Sequence, residues 1–478
     1  MLVFSQLESA CACSATAPIW KPRAVGWLSL LPPLLAIVLA IWKREVISAL
    51  LAALFLAECL IHHFNPLLGF LGTVDRISAV FSSADNSRIL LFSLLIGALL
   101  ALLRHAGGAE AFVRSLLHSG LVRGPRSAAM ITALLGVVIF IESNLSILAS
   151  GTFAQPLFDR FRMSRARLAY LIDSTCSPAS VLILFNGWGA YVLGLLQGYG
   201  LDNPVAVLLG SIPLNFYALA TLACVFYTAW SGRLHGSLAA HEQAQPVVDT
   251  TAAAVSGEYG RPYHFLLPLA VLIGGIIGFM HYTGDGDLMA GSGARSVLYA
   301  TSLATLLTVL LLLRQRNNNL NALLQIGFAG VAELLPVVTV LLLAFALGAS
   351  LQALQTGQFL ASLVSNTLPT WLIAPAVFLC ACCISFTTGT SWGTFGILVP
   401  VAIPLALASG LPPALLLAAV LSGGVFGDHC SPISDSTILS SLAAGCEHLL
   451  HVRTQLPYAL TAGAAALVLF ILAGLQNN

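Results

Sequence analysis

Two short strings hold most of the residues that could do chemistry: IDSTCSPAS at Ile172–Ser180 and GDHCSPISD at Gly427–Asp435. Each sets an aspartate just ahead of a Cys-Ser-Pro, and the second adds His429 and a trailing Asp435. A proline inside a helix lacks an N–H and clashes with the carbonyl four residues earlier. Pro178 should therefore free the carbonyl of Ser174, and Pro432 that of Asp428, positions that coincide when Cys176 is aligned with Cys430. Freed carbonyls, half-helix ends and hydroxyls are hard oxygen ligands suited to Na⁺. The candidate ligands are Asp173, Thr175, Ser177, Asp428, His429, Ser431 and Asp435, with the ion held among the three aspartates; Ser434 lies beside the second break.

Two other polar strings interrupt long apolar stretches. IESN contributes Glu142, Ser143 and Asn144, and TGTSWG contributes Thr388, Thr390 and Ser391. Each group also has a purely structural reading. Ser and Thr in a membrane helix bond back to their own turn, His429 can be a satisfied buried histidine, and Glu333 can be a charge at a helix start. Glu58 can snorkel or pair with Arg104. Three carboxylates at two matched helix breaks fit a structural role least well, because ionisable groups within spans are costly and mark function by default.

These residues sit in a chain of 478 residues that is 58% hydrophobic, 8% charged and has a mean hydropathy of +0.92. Soluble domains carry about 25% charged residues, so lipid is the natural solvent for most of this chain. A net charge of +1 offers no electrostatic footprint for nucleic acid. Cys224, Cys380, Cys382 and Cys383 lie within apolar runs, where free cysteines act as small hydrophobes. Cys11 and Cys13 form a C-x-C without a second Cys or His pair nearby, a weak metal signal. The first twenty residues lack a signal peptide's basic and apolar regions and read as a retained tail.

A spanning helix needs about 20 mostly apolar residues. Ten spans are expected, near 25–42, 46–62, 88–104, 168–195, 204–230, 263–283, 296–314, 333–353, 412–444 and 456–475. The stretches near 127–159 and 370–408 hold polar centres, which membranes tolerate only when buried in protein or lining a cavity. Both read as re-entrant hairpins. LLPPLLAIVLAI at Leu30–Ile41 echoes LLPLAVLIGGII at Leu266–Ile277, as one Cys-Ser-Pro string echoes the other. The plan is then a tail at 1–24, a first repeat at 25–230 with its broken helix at 168–195, and a linker at 231–261. A second repeat at 262–478 carries the broken helix at 412–444. Five spans per half invert the second repeat. With the N-terminus outside, fifteen of the 20 Lys and Arg fall on the cytoplasmic side and five outside, in the sense of the positive-inside rule. Both termini are then periplasmic and the linker cytoplasmic.

GDHCSPISDSTILSS at Gly427–Ser441 resembles the signature of the NhaC family of sodium/proton antiporters, within the ion transporter superfamily. The order of hairpin and broken helix extends the likeness over most of the chain. The resemblance implies a transport domain with two re-entrant hairpins, a homodimer in the bacterial inner membrane, and exchange of Na⁺ for H⁺ without a cofactor. Asp428, His429, Ser431 and Asp435 match the signature directly; Asp173 and Ser177 match only through the internal repeat. Relatives also exchange malate, lactate and other organic acids. The expectation is an all-α polytopic antiporter whose Na⁺ and H⁺ compete for the same oxygens, the site crossing loaded because an empty charged carboxylate is expensive to move. The alternative is an organic-acid or amino-acid exchanger driven by Na⁺ or H⁺, disfavoured by the shortage of Arg and Lys within the spans. An intramembrane enzyme is a poorer fit: no HExxH occurs, and the repeat would have no purpose.

Overall fold

The structure, a computed structural model, describes residues 26–108, 111–112, 115, 122–140, 143–183, 186–197, 199–244, 260–287, 291–314, 318–356, 359 and 369–476, with backbone alone at 144, 145, 152 and 153. Among the described residues every regular element is a helix. Lipid offers the backbone no hydrogen bonds, so an apolar chain that spans it must bond internally. The first half holds α1 (Leu31–Lys43), α2 (Val46–Ile61), α3 (Pro66–Val80), α4 (Ala84–Ala106), α5 (Pro125–Val138), α6 (Ser143–Arg160), α7 (Arg165–Leu182), α8 (Gly187–Leu196), α9 (Pro204–Ser211) and α10 (Phe216–Ser231). Then follow α11 (Gly236–Ala244), α12 (Tyr263–Thr283), α13 (Gly293–Leu313), α14 (Leu320–Ala353), α15 (Ile373–Thr388), α16 (Ser391–Ser409), α17 (Pro413–Cys430), α18 (Asp435–Ala444) and α19 (His448–Gln476).

Among the described residues, ten stretches are long and apolar enough to cross a membrane, or 12 if each of two bent pairs is one span. Large apolar side chains such as Trp42, Phe70, Phe328 and Val468 face outward, as lipid-facing positions do. The chain is an all-helical, multi-pass membrane protein. Membership of the ten departs from the sequence expectation. Thr370–Thr388 and Ser391–Ser409, expected as one hairpin, each qualify alone, whereas the span expected at 46–62 continues through a turn into α3 with a bend of 119°. That bend is pinned by Glu58, which pairs with Arg76 at 2.8 Å and accepts from Ser350 Oγ at 2.6 Å. Arg104, the partner the sequence suggests for Glu58, pairs instead with Glu333, which lies well inside α14 and not at a helix start.

The linker is not all loop: its α11 docks on α19, where Ser237 Oγ donates to the Arg453 carbonyl at 2.8 Å and Tyr458 Oη accepts from His235 N at 2.7 Å. The tail at 1–24 and residues 245–259 lie outside the described residues.

The largest correction concerns the first Cys-Ser-Pro. No break occurs there: α7 runs unbroken through Cys176 and Pro178 to Leu182, with every residue from Ala166 to Val181 buried. Ser180 returns its hydroxyl to the Cys176 carbonyl at 2.8 Å, and Thr175 to Leu171 at 2.7 Å, so hydroxyls on both sides of the proline hold the helix. Pro178 is followed by Ala-Ser-Val-Leu, which matches the serine of the second string at Ser434 but lacks its following acid, Asp435. α7 ends later, at Leu182, and α8 starts at Gly187, where Asn186 caps it through Gly189 N at 3.0 Å. At the second string the helix does break: α17 stops at Cys430, and Ser434-Asp435 opens α18 with an N-cap serine and a first-turn acid.

Candidate functional site

A cavity of about 310 Å³ opens beside the break between α17 and α18. Asp428, Asp435 and Ser436 line it, with Ser177 from α7, Ser143 from α6, Thr390 from the turn between α15 and α16, and Trp392 from the start of α16. Trp188 of α8 closes one wall, its ring 4.8 Å from that of Trp392. Arg104 of α4 and Glu333 of α14 also line it, bonded to each other.

Asp428 is the last carboxylate of α17 and only 4% exposed. Its Oδ2 accepts from Ser391 Oγ at 2.8 Å and its Oδ1 from Ser434 Oγ. Ser434 Oγ lies 3.0 Å from Ser436 Oγ, and Ser391 Oγ also contacts the Gly424 carbonyl at 3.2 Å. The carbonyl of Asp428, deprived of its regular partner by Pro432, accepts from Ser431 N at 3.2 Å. The break is therefore a tight turn, closed by Thr437 Oγ1 donating to Ser431 O at 2.9 Å. Two glycines hold these parts together. An added Cβ on Gly427 would stand 2.6 Å from the Cys382 carbonyl of α15, and one on Gly389, at φ +68°, would stand 2.8 Å from Ile433 O. No Lys or Arg hydrogen-bonds Asp428 or Asp435 among the described residues. This concentration of carboxylate and hydroxyl oxygen suits a small hard cation.

Asp173 belongs to a different cluster, sealed away from the cavity. Its Oδ2 accepts from Gln455 Nε2 at 2.6 Å and faces His451 Nε2 at 3.3 Å; its Oδ1 accepts from Ser440 Oγ at 3.2 Å. Gln455 Nε2 also donates to the His429 carbonyl at 3.0 Å, while its Oε1 accepts from Ser174 Oγ at 3.4 Å. His429 turns its ring away from Asp428 toward Tyr217 Oη, 3.1 Å from Nδ1.

The sequence candidates thus divide. Asp428, Asp435, Thr390, Ser143 and Ser177 line the cavity, Ser391 reaches it only through its bond to Asp428, and Ser177 Oγ has no partner among the described residues. Ser431 is buried within the break itself. Asp173 lies behind α17, and His429, on α17, turns its ring to Tyr217. Thr175 and Thr388 bond back to their own helices, Thr388 to Ile384 O at 2.8 Å. Glu142 and the side chain of Asn144 lie outside the described residues. His451, Gln455, Ser440, Arg104 and the two tryptophans are site neighbours that motif reasoning misses. His451 and Gln455 were findable, as polar residues at i and i+4 entering an apolar helix. Gly389–Gly393 also has the G-x-S-x-G spacing of a hydrolase nucleophile elbow, but Ser391 opens a helix after a helix and donates to a carboxylate, with no strand-to-helix turn.

A profile of the Na⁺/H⁺ antiporter family matches residues 181–475. An uncharacterised protein of Haemophilus influenzae is 35% identical over 472 residues, covering 93% of this chain and 90% of its own length. A malate-2H⁺/Na⁺-lactate antiporter of Bacillus subtilis is 40% identical over 107 residues, 21% of this chain and 23% of that one. Among solved structures, the Alcanivorax borkumensis YdaH transporter shares the fold, with a TM-score of 0.58 at 16% identity, covering 83% of this chain and 86% of that one. The signature at Gly427–Ser441 lies within the matched region. On these grounds the chain is a membrane transporter, not an enzyme, and belongs to the Na⁺/H⁺ antiporter family.

Proposed function

We propose that the chain exchanges Na⁺ for H⁺ across the bacterial inner membrane by alternating access, with Na⁺ held at the break between α17 and α18. One observation carries this reading: Asp428 ends a helix at a cavity wall, its oxygens touched by the hydroxyls of Ser391 and Ser434, with Asp435 on the same wall. A hydroxyl that donates to a carboxylate can rotate and offer its lone pair instead. Na⁺ can therefore replace the donated hydrogens with four or more hard oxygens and little movement. An empty, charged Asp428 would be costly to carry through the bilayer, which ties movement of the site to its occupancy.

The same reading treats α5–α6 and α15–α16 as paired hairpins of two inverted repeats, with both termini periplasmic and the protein a homodimer. Tags at residues 1 and 478 that are reached from the periplasm would support the orientation, and a cytoplasmic N-terminus would refute it.

A second reading, Na⁺- or H⁺-coupled exchange of an organic acid or amino acid, is favoured by Arg104 on the cavity wall. That guanidinium supplies the cationic group whose shortage in the spans counted against such substrates. Purified protein in liposomes with an internal pH dye, challenged with Na⁺, Li⁺, K⁺, malate, lactate and amino acids, separates the two. Proton movement driven by Na⁺ alone supports the first; movement only with an organic solute supports the second.

A further inference from the structure

Neighbouring residues at the end of α17 serve different clusters. Asp428 faces the cavity, while the carbonyl of His429 is held by Gln455 on the opposite side. Behind the helix, Asp173 and His451 are 0% exposed and Gln455 1% exposed, and none of the three lines the cavity. The titratable groups close enough to feel the charge of Asp173 are His451 from α19, His429 and Cys430 from α17, Tyr217 from α10 and, across α17 on the cavity side, Asp428 and Asp435. No Lys or Arg hydrogen-bonds it among the described residues; Arg167, on its own helix, lies 3.5 Å from Glu242.

The donors fix the charge accounting. Gln455 presents its NH₂ to two acceptors and its oxygen to a hydroxyl, so its amide orientation is set by its partners. With His451 Nε2 donating to Asp173, Nδ1 is left without a partner among the described residues. The pair is then neutral when it holds one added proton, as carboxylate and imidazolium, and carries one negative charge without it. An uncompensated charge at such depth is expensive. A cation arriving at Asp428 and Asp435, one helix away, removes one unit of negative charge from the neighbourhood; when that cation leaves, a proton on the pair restores the same total.

We propose that the Asp173–His451 pair carries the exchanged proton in a site of its own, behind α17, while Na⁺ occupies the cavity side. This rests on the antiport reading above and replaces competition on one carboxylate with charge coupling between two sites. Na⁺ arriving at Asp428 releases the proton from His451 Nδ1, and Na⁺ leaving restores it. Ser440 and Gln455 join the pair to α18 and to the end of α17, so both sites sense the same break.

The test compares two activities in liposomes: Na⁺-driven proton movement, and exchange of labelled Na⁺ for Na⁺, which needs no proton. Asp173→Asn and His451→Gln should each lose proton movement at least ~10-fold, about 1.4 kcal/mol. Both should keep Na⁺–Na⁺ exchange within about threefold, under 1 kcal/mol. Variants that keep Na⁺-driven proton movement, or lose both activities together, overturn the proposal. Histidine ¹⁵N NMR of the wild type gives a readout independent of variant folding. Na⁺ addition should convert one imidazolium to neutral imidazole, and no change in any histidine would refute it. A wild type in which Na⁺ drives no proton movement refutes the antiport reading along with the proton site. An active wild type with unaffected variants refutes the proton site alone.

Discussion

Asp173 and Asp428 sit in sister strings, yet the molecule treats them differently. Asp428 stands at a broken helix end, against a cavity, with only hydroxyls on its carboxylate. Asp173 stands inside an unbroken helix, fully enclosed, held by an amide, an imidazole and one hydroxyl. Amide and imidazole N–H groups donate where they point and cannot turn a lone pair to a cation, whereas hydroxyls can. The comparison teaches that a repeated string need not repeat its backbone path or its surroundings. In one copy the carboxylate can exchange hydrogens for a metal ion; in the other its lone pairs are committed to protein donors.

The first way to break this comparison is to remove the charges. Asp428→Asn should weaken Na⁺ dependence of exchange by ~100-fold, roughly 2.8 kcal/mol, while the protein still inserts, since a neutral side chain costs less in the membrane. Asp435→Asn should cost less, about 10-fold, because Asp435 also serves the first turn of α18, where a neutral cap loses only part of the interaction. Proteoliposome pH-dye assays over a Na⁺ titration measure both, and near-wild-type exchange in Asp428→Asn would remove the cation site from the break.

A smaller effect sharpens the division between the clusters. Ser391→Ala deletes a hydroxyl on Asp428 and should weaken Na⁺ about fivefold, near 1 kcal/mol for one hydrogen-bonding group. Ser440→Ala deletes the matching hydroxyl on Asp173 and should leave Na⁺ affinity unchanged. Equal losses in both would merge the two sites into one.

The difference was half legible in the sequence. With Cys176 aligned to Cys430, Asp428 matches Ser174, and Asp173 falls one residue earlier. One residue is about 100° around a helix, so the two aspartates could not face the same way. The break at Pro432 was legible too, because Ser434 and Asp435 form a helix start right after the proline. Its absence at Pro178 was less so: α7 is buried on every side, and packing with the hydroxyls of Thr175 and Ser180 outweighs the proline. The cluster around Asp173 needed tertiary structure, since Ser440, His451 and Gln455 lie at least 267 residues away. The bend at Glu58 was equally hidden, because Arg76 comes from a helix the span pattern does not predict.

Two backbone changes give the smallest effects. Gly389→Ala forces a side chain into the left-handed region against Ile433 O and should cost about 1–2 kcal/mol, seen as a lower thermal midpoint in detergent and a smaller rise on adding Na⁺. Pro178→Ala, in a helix already continuous, should change exchange less than twofold and leave stability level or slightly higher. A large loss in Pro178→Ala would mean that α7 breaks during transport after all, restoring the symmetry between the two strings.

The most direct measurement is Na⁺ binding by calorimetry to purified Asp428→Asn and Asp173→Asn, each against wild type. Binding should be lost in Asp428→Asn and kept within about threefold, under 1 kcal/mol, in Asp173→Asn. Loss in Asp173→Asn with retention in Asp428→Asn, or equal loss in both, would contradict the assignment of the cation to the α17–α18 break.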